Sequence, residues 1–305
     1  MFSEPSIWHE GELEAQKRAG VASKAERLQG MVRTSLPPAA QRFLSERQFA
    51  ALGSVDGLAR VWASVVVGEP GFLQAPDPRT IEIVGGWAAT DPLLENIAQN
   101  HDVGMLVMDF STRRRMRANG LAELGGDGVL RMKIEQAFSN CPRYIQARVA
   151  ESDLRTGEPR QQRSEMLCDS EKQWIASADT FFIATAHPSG GVDASHKGGN
   201  PGFIHVQGDR ILVIPDYNGN SIFNTLGNIH VNPRAGLVFA DFEAGRTLQL
   251  TGKVTIHWER PDTEKFPGAE RLLEFELEEA LETENAFPLR FRLESYSPYN
   301  PAVSK

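Results

Sequence analysis

Cysteine is nearly absent from this chain: Cys141 and Cys168 are the only two in 305 residues, too few for a disulfide scaffold. Long apolar runs are missing too, and none approaches the roughly 18 residues that a membrane-spanning helix needs. The first residues, MFSEPSIWHEGELEAQKRAG, hold no apolar core of the kind a secretory signal carries, so a reducing, cytoplasmic location is expected. Basic charge is in deficit, with 32 Lys and Arg against 40 Asp and Glu and a net charge of −8. That balance argues against a nucleic-acid binder, though a small anionic ligand needs only a local cluster of donors. The seven histidines show no HExxH pattern and no close cysteine pair accompanies them, so no metal site is indicated. A glycine-rich dinucleotide fingerprint, a Walker-type loop and a Gly-x-Ser-x-Gly elbow are all lacking.

What is present is a globular composition, 41% hydrophobic and 24% charged, sufficient for one large core or two small ones. Residues 11–30 read as an exposed amphipathic helix, and a second helix is expected from Pro38 to about Phe49. Beyond it the pattern changes to short β-rich runs broken by Gly, Pro, Asp and Asn, with helical interludes at 92–100 and 221–230. Short connections favour barrels or meanders over alternating βαβ units.

The chain also repeats itself. An offset of 131 lays Ala63-Ser64 on Ala194-Ser195 and Pro70-Gly71-Phe72 on Pro201-Gly202-Phe203. An offset of 132 lays Asn96-Ile97 on Asn228-Ile229, Asp109-Phe110 on Asp241-Phe242, Arg114 on Arg246 and Gly120 on Gly252. One inserted residue reconciles the two registers. The expected organisation is a helical extension over 1–36, a first lobe over 37–150, a polar linker over 151–164 and a second lobe over 165–305.

In the second lobe, a run carrying TAHPSGGVDASHK is followed by IPDYNGN, NPRAGLVF and a strand of the form Arg-x-x-x-x-x-Gly, Arg246 to Gly252. This order resembles the pyridoxamine 5'-phosphate oxidase-like flavoproteins, and the first lobe carries a divergent version in HDVGMLVMDF and RRMRANG. The resemblance implies a mainly β (α+β) protein of two tandem split β-barrels with flanking helices, and FMN as cofactor. It further implies that the chain builds from one polypeptide the barrel pair that clasps the flavin in this family. A further homodimer is compatible with it.

A phosphorylated flavin needs charge-assisted donors at its phosphate and a flat slot for its ring. Ser195, His196 and Lys197 end a β-run, and Lys197 matches the family's phosphate-contacting lysine. Pro215, Asp216, Asn220, Ser221 and Asn224 lie on the turn and helix start that hold the phosphate in the family. Asn220 and Ser221 replace the usual basic pair there, so positive charge must come from elsewhere. On an extended strand Arg113, Arg115 and Arg117 share one face and could supply it. Tyr144 sits in a polar segment expected to begin a helix. Trp62 and Ser64 are the first lobe's candidates for covering the ring and adding a hydroxyl. Each has a plainer alternative, a solvated strand end, an ordinary turn or an arginine-studded edge strand.

The resulting expectation is an FMN-dependent oxidoreductase acting on a small molecule, with NAD(P)H as a transient reductant. A non-catalytic flavin sensor or carrier is the alternative. The family's C-terminal Arg-Leu-x-Pro motif is incomplete here, as Arg292-Leu293-Glu294-Ser295, so the namesake reaction is not implied.

Overall fold

Residues 6–151, 157–259, 261–262 and 264–303 are described in a computed structural model. After α3 (Pro38–Ser45), β-branched and small apolar residues build β1 (Phe49–Val55) and β2 (Val61–Val67), both buried along their length. There follow β3 (Leu73–Asp77), β4 (Thr80–Val84), β5 (Asp102–Asp109), β6 (Arg114–Leu124) and β7 (Val129–Ser139), with α4 (Leu93–Gln99) between β4 and β5. The seven strands form one antiparallel sheet in the order β2-β1-β5-β6-β7-β4-β3.

Two strands connect the lobes, β8 (Ala147–Glu151) and β9 (Arg160–Ser164), and α5 (Asp169–Ser177) opens the second. Its strands are β10 (Thr180–Ala186), β11 (Val192–Gly198), β12 (His205–Gln207), β13 (Ile211–Tyr217), β14 (Arg234–Asp241), β15 (Arg246–His257) and β16 (Ala269–Glu284), with α6 (Asn224–Val231) before β14. Their order, β11-β10-β14-β15-β16-β13-β12, repeats the first sheet strand for strand. Even the irregularity is duplicated. Register slips between Asn119 and Gly120 on β6 and between Thr251 and Gly252 on β15, positions that the 132-residue offset superimposes. At both glycines a Cβ would stand about 2 Å from a carbonyl oxygen of the next strand, that of Lys133 or Glu276. The chain is therefore a tandem pair of split β-barrels.

Each barrel has its own core, one containing Leu52, Met105, Met116 and Met132, the other Phe181, Leu237, Leu250 and Phe275. A third core belongs to both. Val61, Ala63 and Val65 of β2 pack with Val192 and Ala194 of β11, and Phe49 meets Phe182 across the seam at 5.1 Å between ring centres. Strands approach closest where side chains vanish. A Cβ on Gly104 would lie 2.6 Å from Asp193 Cα, and one on Gly236 would lie 2.6 Å from Trp62 Cα, two contacts related by the repeat.

Several elements depart from the sequence reading. The helix expected over 11–30 breaks at Gly20 into α1 (Glu10–Arg18) and α2 (Ala22–Leu28). The α1 helix is also not exposed: Gly11, Glu12, Ala15 and Gln16 are buried, and Gly11 lies directly against Gly227 of α6. Residues 49 onward form β1 rather than the end of a helix. The stretch 140–146 turns without forming a helix, and β8 follows it. In the expected linker, residues 152–156 lie outside the described residues, while β9 pairs with β16 and so joins the second sheet. The last strand, β17 (Arg290–Ser295), pairs back onto β8. Among the described residues no helix is long and apolar enough to cross a membrane.

Gly104→Val should drive a side chain into the β11 backbone. The expected loss is about 1–3 kcal/mol of unfolding free energy, as for other overpacked sites. Urea titration of the variant beside Gly104→Ala measures it, with the alanine costing less.

Candidate functional site

The close approach at Gly104 brings β6 of the first lobe over β11 of the second. Alternation along β6 sends Arg115, Arg117 and Asn119 toward the seam, while Met116 enters the first core and Arg114 lies over the Phe43 ring at 5.2 Å. Opposite them, Asp193 and Ser195 share a face of β11. Arg117 donates to Asp193 Oδ1 at 3.2 Å, to Asn224 Oδ1 at 2.9 Å and to Ser195 Oγ. Asn119 Nδ2 and Asn228 Nδ2 donate to the two Asp193 oxygens at 2.7 and 2.9 Å. Ser195 Oγ also meets Thr225 Oγ1 at 2.9 Å.

Arg115 is in a different position. Among the described residues its one side-chain hydrogen-bond partner is His196 Nδ1 at 3.2 Å, and its buried Nε has none. Burial, with Arg117 beside it, pushes its pKa down to about 10, so it is still a cation at neutral pH. The same burial and the Arg115 charge hold His196 well below the usual imidazole range, hence neutral. A half-buried cation that, among the described residues, has no carboxylate of its own is costly unless an anion arrives.

These residues form one end of a cleft enclosing about 1030 Å³, solvent at its mouth included. First-lobe residues Arg115, Arg117, Asn140, Cys141, Arg143 and Tyr144 line it, facing second-lobe residues that include Lys197, Tyr217, Phe223 and the first turn of α6. Side chains bridge its mouth. Tyr144 Oη donates to the Asn218 carbonyl at 3.0 Å, Arg143 Nη1 to Asn218 Oδ1 at 2.9 Å, and Asn220 Nδ2 to Asn140 Oδ1 at 2.9 Å. Tyr144 on one side of the cleft and Ser221 and Phe223 on the other all have positive φ, 66–70°, a strained backbone concentrated at this cleft. Five cationic side chains line the cleft, Arg115, Arg117, Arg143, Lys197 and Arg271, against two carboxylates, Asp216 and Glu270. Asp216 binds Lys197 and, at 2.9 Å, Arg271, and Arg271 also reaches Glu270 at 2.8 Å. The outer end is thus nearly balanced and the inner end is positive.

Of the sequence-predicted residues, Ser195, His196, Lys197, Asp216, Asn220, Ser221, Asn224, Arg115, Arg117 and Tyr144 come together here. Four do not. Arg113 has φ 55° in the turn before β6, and bonds the Ile145 carbonyl at 3.0 Å and Ser295 Oγ at 2.7 Å, so the three-arginine face reduces to two. Pro215 points away from the cleft because its neighbour Asp216 points in. Trp62 and Ser64 stand at the other, repeat-related seam, where Trp62 Nε1 donates to Asp56 at 3.0 Å and Ser64 Oγ to Asp91 at 2.6 Å.

Among the participants that escaped sequence reading are Asp193, Arg271 and Glu12. Asp193 lies two residues before Ser195, so its shared strand face was the available signal. Glu12, on α1, accepts from Asn224 Nδ2 at 2.5 Å and from the His9 backbone N–H at 3.0 Å. Burial, with the Asp193 charge nearby, pushes it up to about 8. On the same helix end His9, Glu10 and His187 lie close together. Both rings accept a backbone N–H at Nδ1, at 3.1 Å, which leaves the proton on Nε2 and disfavours metal ligation there.

The paired barrels and the cleft at their seam define a tandem split-barrel protein. Residues 168–293, the second lobe, match the family model described as Pyridoxamine 5'-phosphate oxidase. No curated protein matches the chain. Solved structures similar to it include a HupZ protein of Group A Streptococcus, at 14% identity over 38% of this chain and 99% of that one, with a TM-score of 0.32. A putative pyridoxamine 5'-phosphate oxidase of Lactobacillus delbrueckii gives 18% identity over 38% and 94%, with a TM-score of 0.31. An FMN-binding protein of Syntrophomonas wolfei gives 11% over 36% and 80%, with a TM-score of 0.27.

The buried Glu12 gives a pH test. Its folded pKa exceeds the unfolded one, so its contribution is full below about pH 4.5 and is lost as pH rises through 8. Chemical denaturation across this range should show the unaltered chain losing about 2–4 kcal/mol relative to Glu12→Gln. Parallel profiles would show that Glu12 does not hold its proton.

Proposed function

We propose that the cleft binds FMN and that the protein is an FMN-dependent oxidoreductase acting on a small molecule. The observation that carries this reading is Arg115: a half-buried cation with a buried, unpartnered Nε and, among the described residues, no carboxylate, at the inner end of a cleft large enough for a cofactor. The first helical bond of α6 runs from the Gly227 N–H to the Phe223 carbonyl, so the N–H groups of Asn224, Thr225 and Leu226 precede the ladder and favour an anion at the same end. Arg115, Arg117, Ser195 and the start of α6 would hold the phosphate, and Tyr144, Tyr217 and Phe223 offer flat apolar surface for the ring. When bound, the flavin supplies the hydride and electron transfer.

The chain's own residues orient and enclose. Arg117 is fixed by three acceptors and ties the lobes together. Asp216 holds Lys197 and Arg271 in place, and the Tyr144–Asn218 and Asn140–Asn220 bonds narrow the mouth. Burial pushes Tyr217 up to about 12 and also raises Tyr144, so both remain protonated donors at neutral pH. Neither they nor neutral His196 is tuned for proton exchange near neutrality. That fact also favours a second reading, in which the protein binds flavin without turnover as a sensor or carrier.

Arg115→Ala should weaken FMN binding by about 1.5–3 kcal/mol, the scale of a charge-assisted bond at a buried site. Lys197→Met should cost less, because Asp216 keeps its second partner, Arg271. Quenching of FMN fluorescence measures both, and unchanged affinity in Arg115→Ala would remove Arg115 from the site. Anaerobic NAD(P)H addition separates the two readings: repeated bleaching and reoxidation indicates an enzyme, and an inert yellow protein a binder.

A further inference from the structure

The repeat gives the molecule two seams, and the second differs from the first in what fills it. By register Ser64 stands for Ser195, Gln249 for Arg117, Thr251 for Asn119 and Leu93 for Thr225. The same register pairs Phe223, which immediately precedes α6 in the open seam, with Asp91, two residues before α4 in the other. Asp91 Oδ1 accepts from Ser64 Oγ at 2.6 Å and from the Leu93 N–H at 2.9 Å. Gln249, which bonds Ser64 Oγ at 3.1 Å, favours the carboxylate's charged form against the burial that raises its pKa to about 6. The donors that surround Asp91 are thus the counterparts of Ser195, Arg117 and the Thr225 N–H. A carboxylate carried by the chain occupies the point toward which the open seam turns Ser195, Arg117 and the start of α6. Its partners Ser64 and Gln249 are fully buried, and among the described residues neither bonds another anion.

We infer that the second seam is an oxyanion site of the same design, kept closed by the Asp91 carboxylate, so that the chain takes one anionic ligand and not two. The inference rests on the preceding reading only for the nature of the open seam's ligand. It assigns to Asp91 the role of a resident anion, and to Phe223, in the matching position, the role of leaving the first seam free. Removing the carboxylate while supplying the missing cation should convert the closed seam into a site for a small oxyanion such as inorganic phosphate.

The test compares the full chain with Asp91→Ala and with Asp91→Ala/Gln249→Arg, each crystallised without oxyanions and soaked in inorganic phosphate. The expected result is phosphate at Ser64 Oγ in the double variant and none there in the unaltered chain. Phosphate at Ser64 in the unaltered chain overturns the inference, as does its absence there in the double variant. Asp91→Ser/Gln249→Arg replaces the alanine pair if that one does not fold, since a hydroxyl still partners Ser64. In solution the double variant should gain phosphate-dependent thermal stabilisation beyond that of the parent, and an equal gain in both contradicts the proposal. If the open seam near Arg115 takes no phosphate in any protein, the functional reading above fails, while the outcome at Ser64 still decides this one.

Discussion

Two glycines set the distance between the lobes. Gly104 lets β5 lie against the backbone of β11, and Gly236 lets β14 lie against β2. Only at that separation can Arg117 and Asn119 of one lobe reach Asp193 and Ser195 of the other. The apolar core shared by β2, β11 and the phenylalanines around Phe49 supplies the driving force for pairing, and the glycines decide its geometry. The cleft is a consequence: where the small-residue contact ends, polar side chains from both lobes converge on a gap that neither lobe encloses alone.

Electrostatics then separates two seams that share one backbone plan. The open seam carries Arg115 and Arg117, and the deep carboxylate in direct contact among the described residues, Asp193, is already committed to Arg117, Asn119 and Asn228. The other seam has Thr247 and Gln249 at the arginine positions and an internal carboxylate at Asp91. One side therefore has charge to offer and the other has satisfied its own. The N-terminal extension deepens this asymmetry, because α1 docks on α6 and inserts Glu12 behind Asn224. Glu12 in its protonated form does not cancel the cationic character of the cleft. Nothing at the start of α4 corresponds to Glu12 among the described contacts.

The fold was largely legible because the repeat is written in residues with a packing or register duty. Gly120 and Gly252 mark the same bulge, and Asn96 and Asn228 the same helix. The insertion that changes the offset falls between Phe72 and Asn96, the stretch whose counterpart includes the 218–223 wall of the cleft. Elements were missed where composition and context disagree. The β16 segment AERLLEFELEEALETE has the Glu, Leu and Ala of a helix, yet its apolar residues alternate over most of its length and pair with three neighbouring strands. That misdirection concealed Arg271. Within the site, the same-face rule placed Arg115 and Arg117 correctly and failed at Arg113, because the strand begins one residue later in a left-handed turn. Glu12 was illegible for a simpler reason: a charged residue on a charged helix looks solvated until its packing partner, here Gly227, is known.

The central claim is that the paired lobes create one anion-binding cleft at a single seam. A crystal structure of the full chain with FMN tests it most directly. The account predicts one flavin per chain, its phosphate in contact with Arg115 and the start of α6 and its ring toward Tyr144 and Tyr217. Flavin density at both seams, or at neither while the cofactor sits elsewhere on the chain, would contradict it.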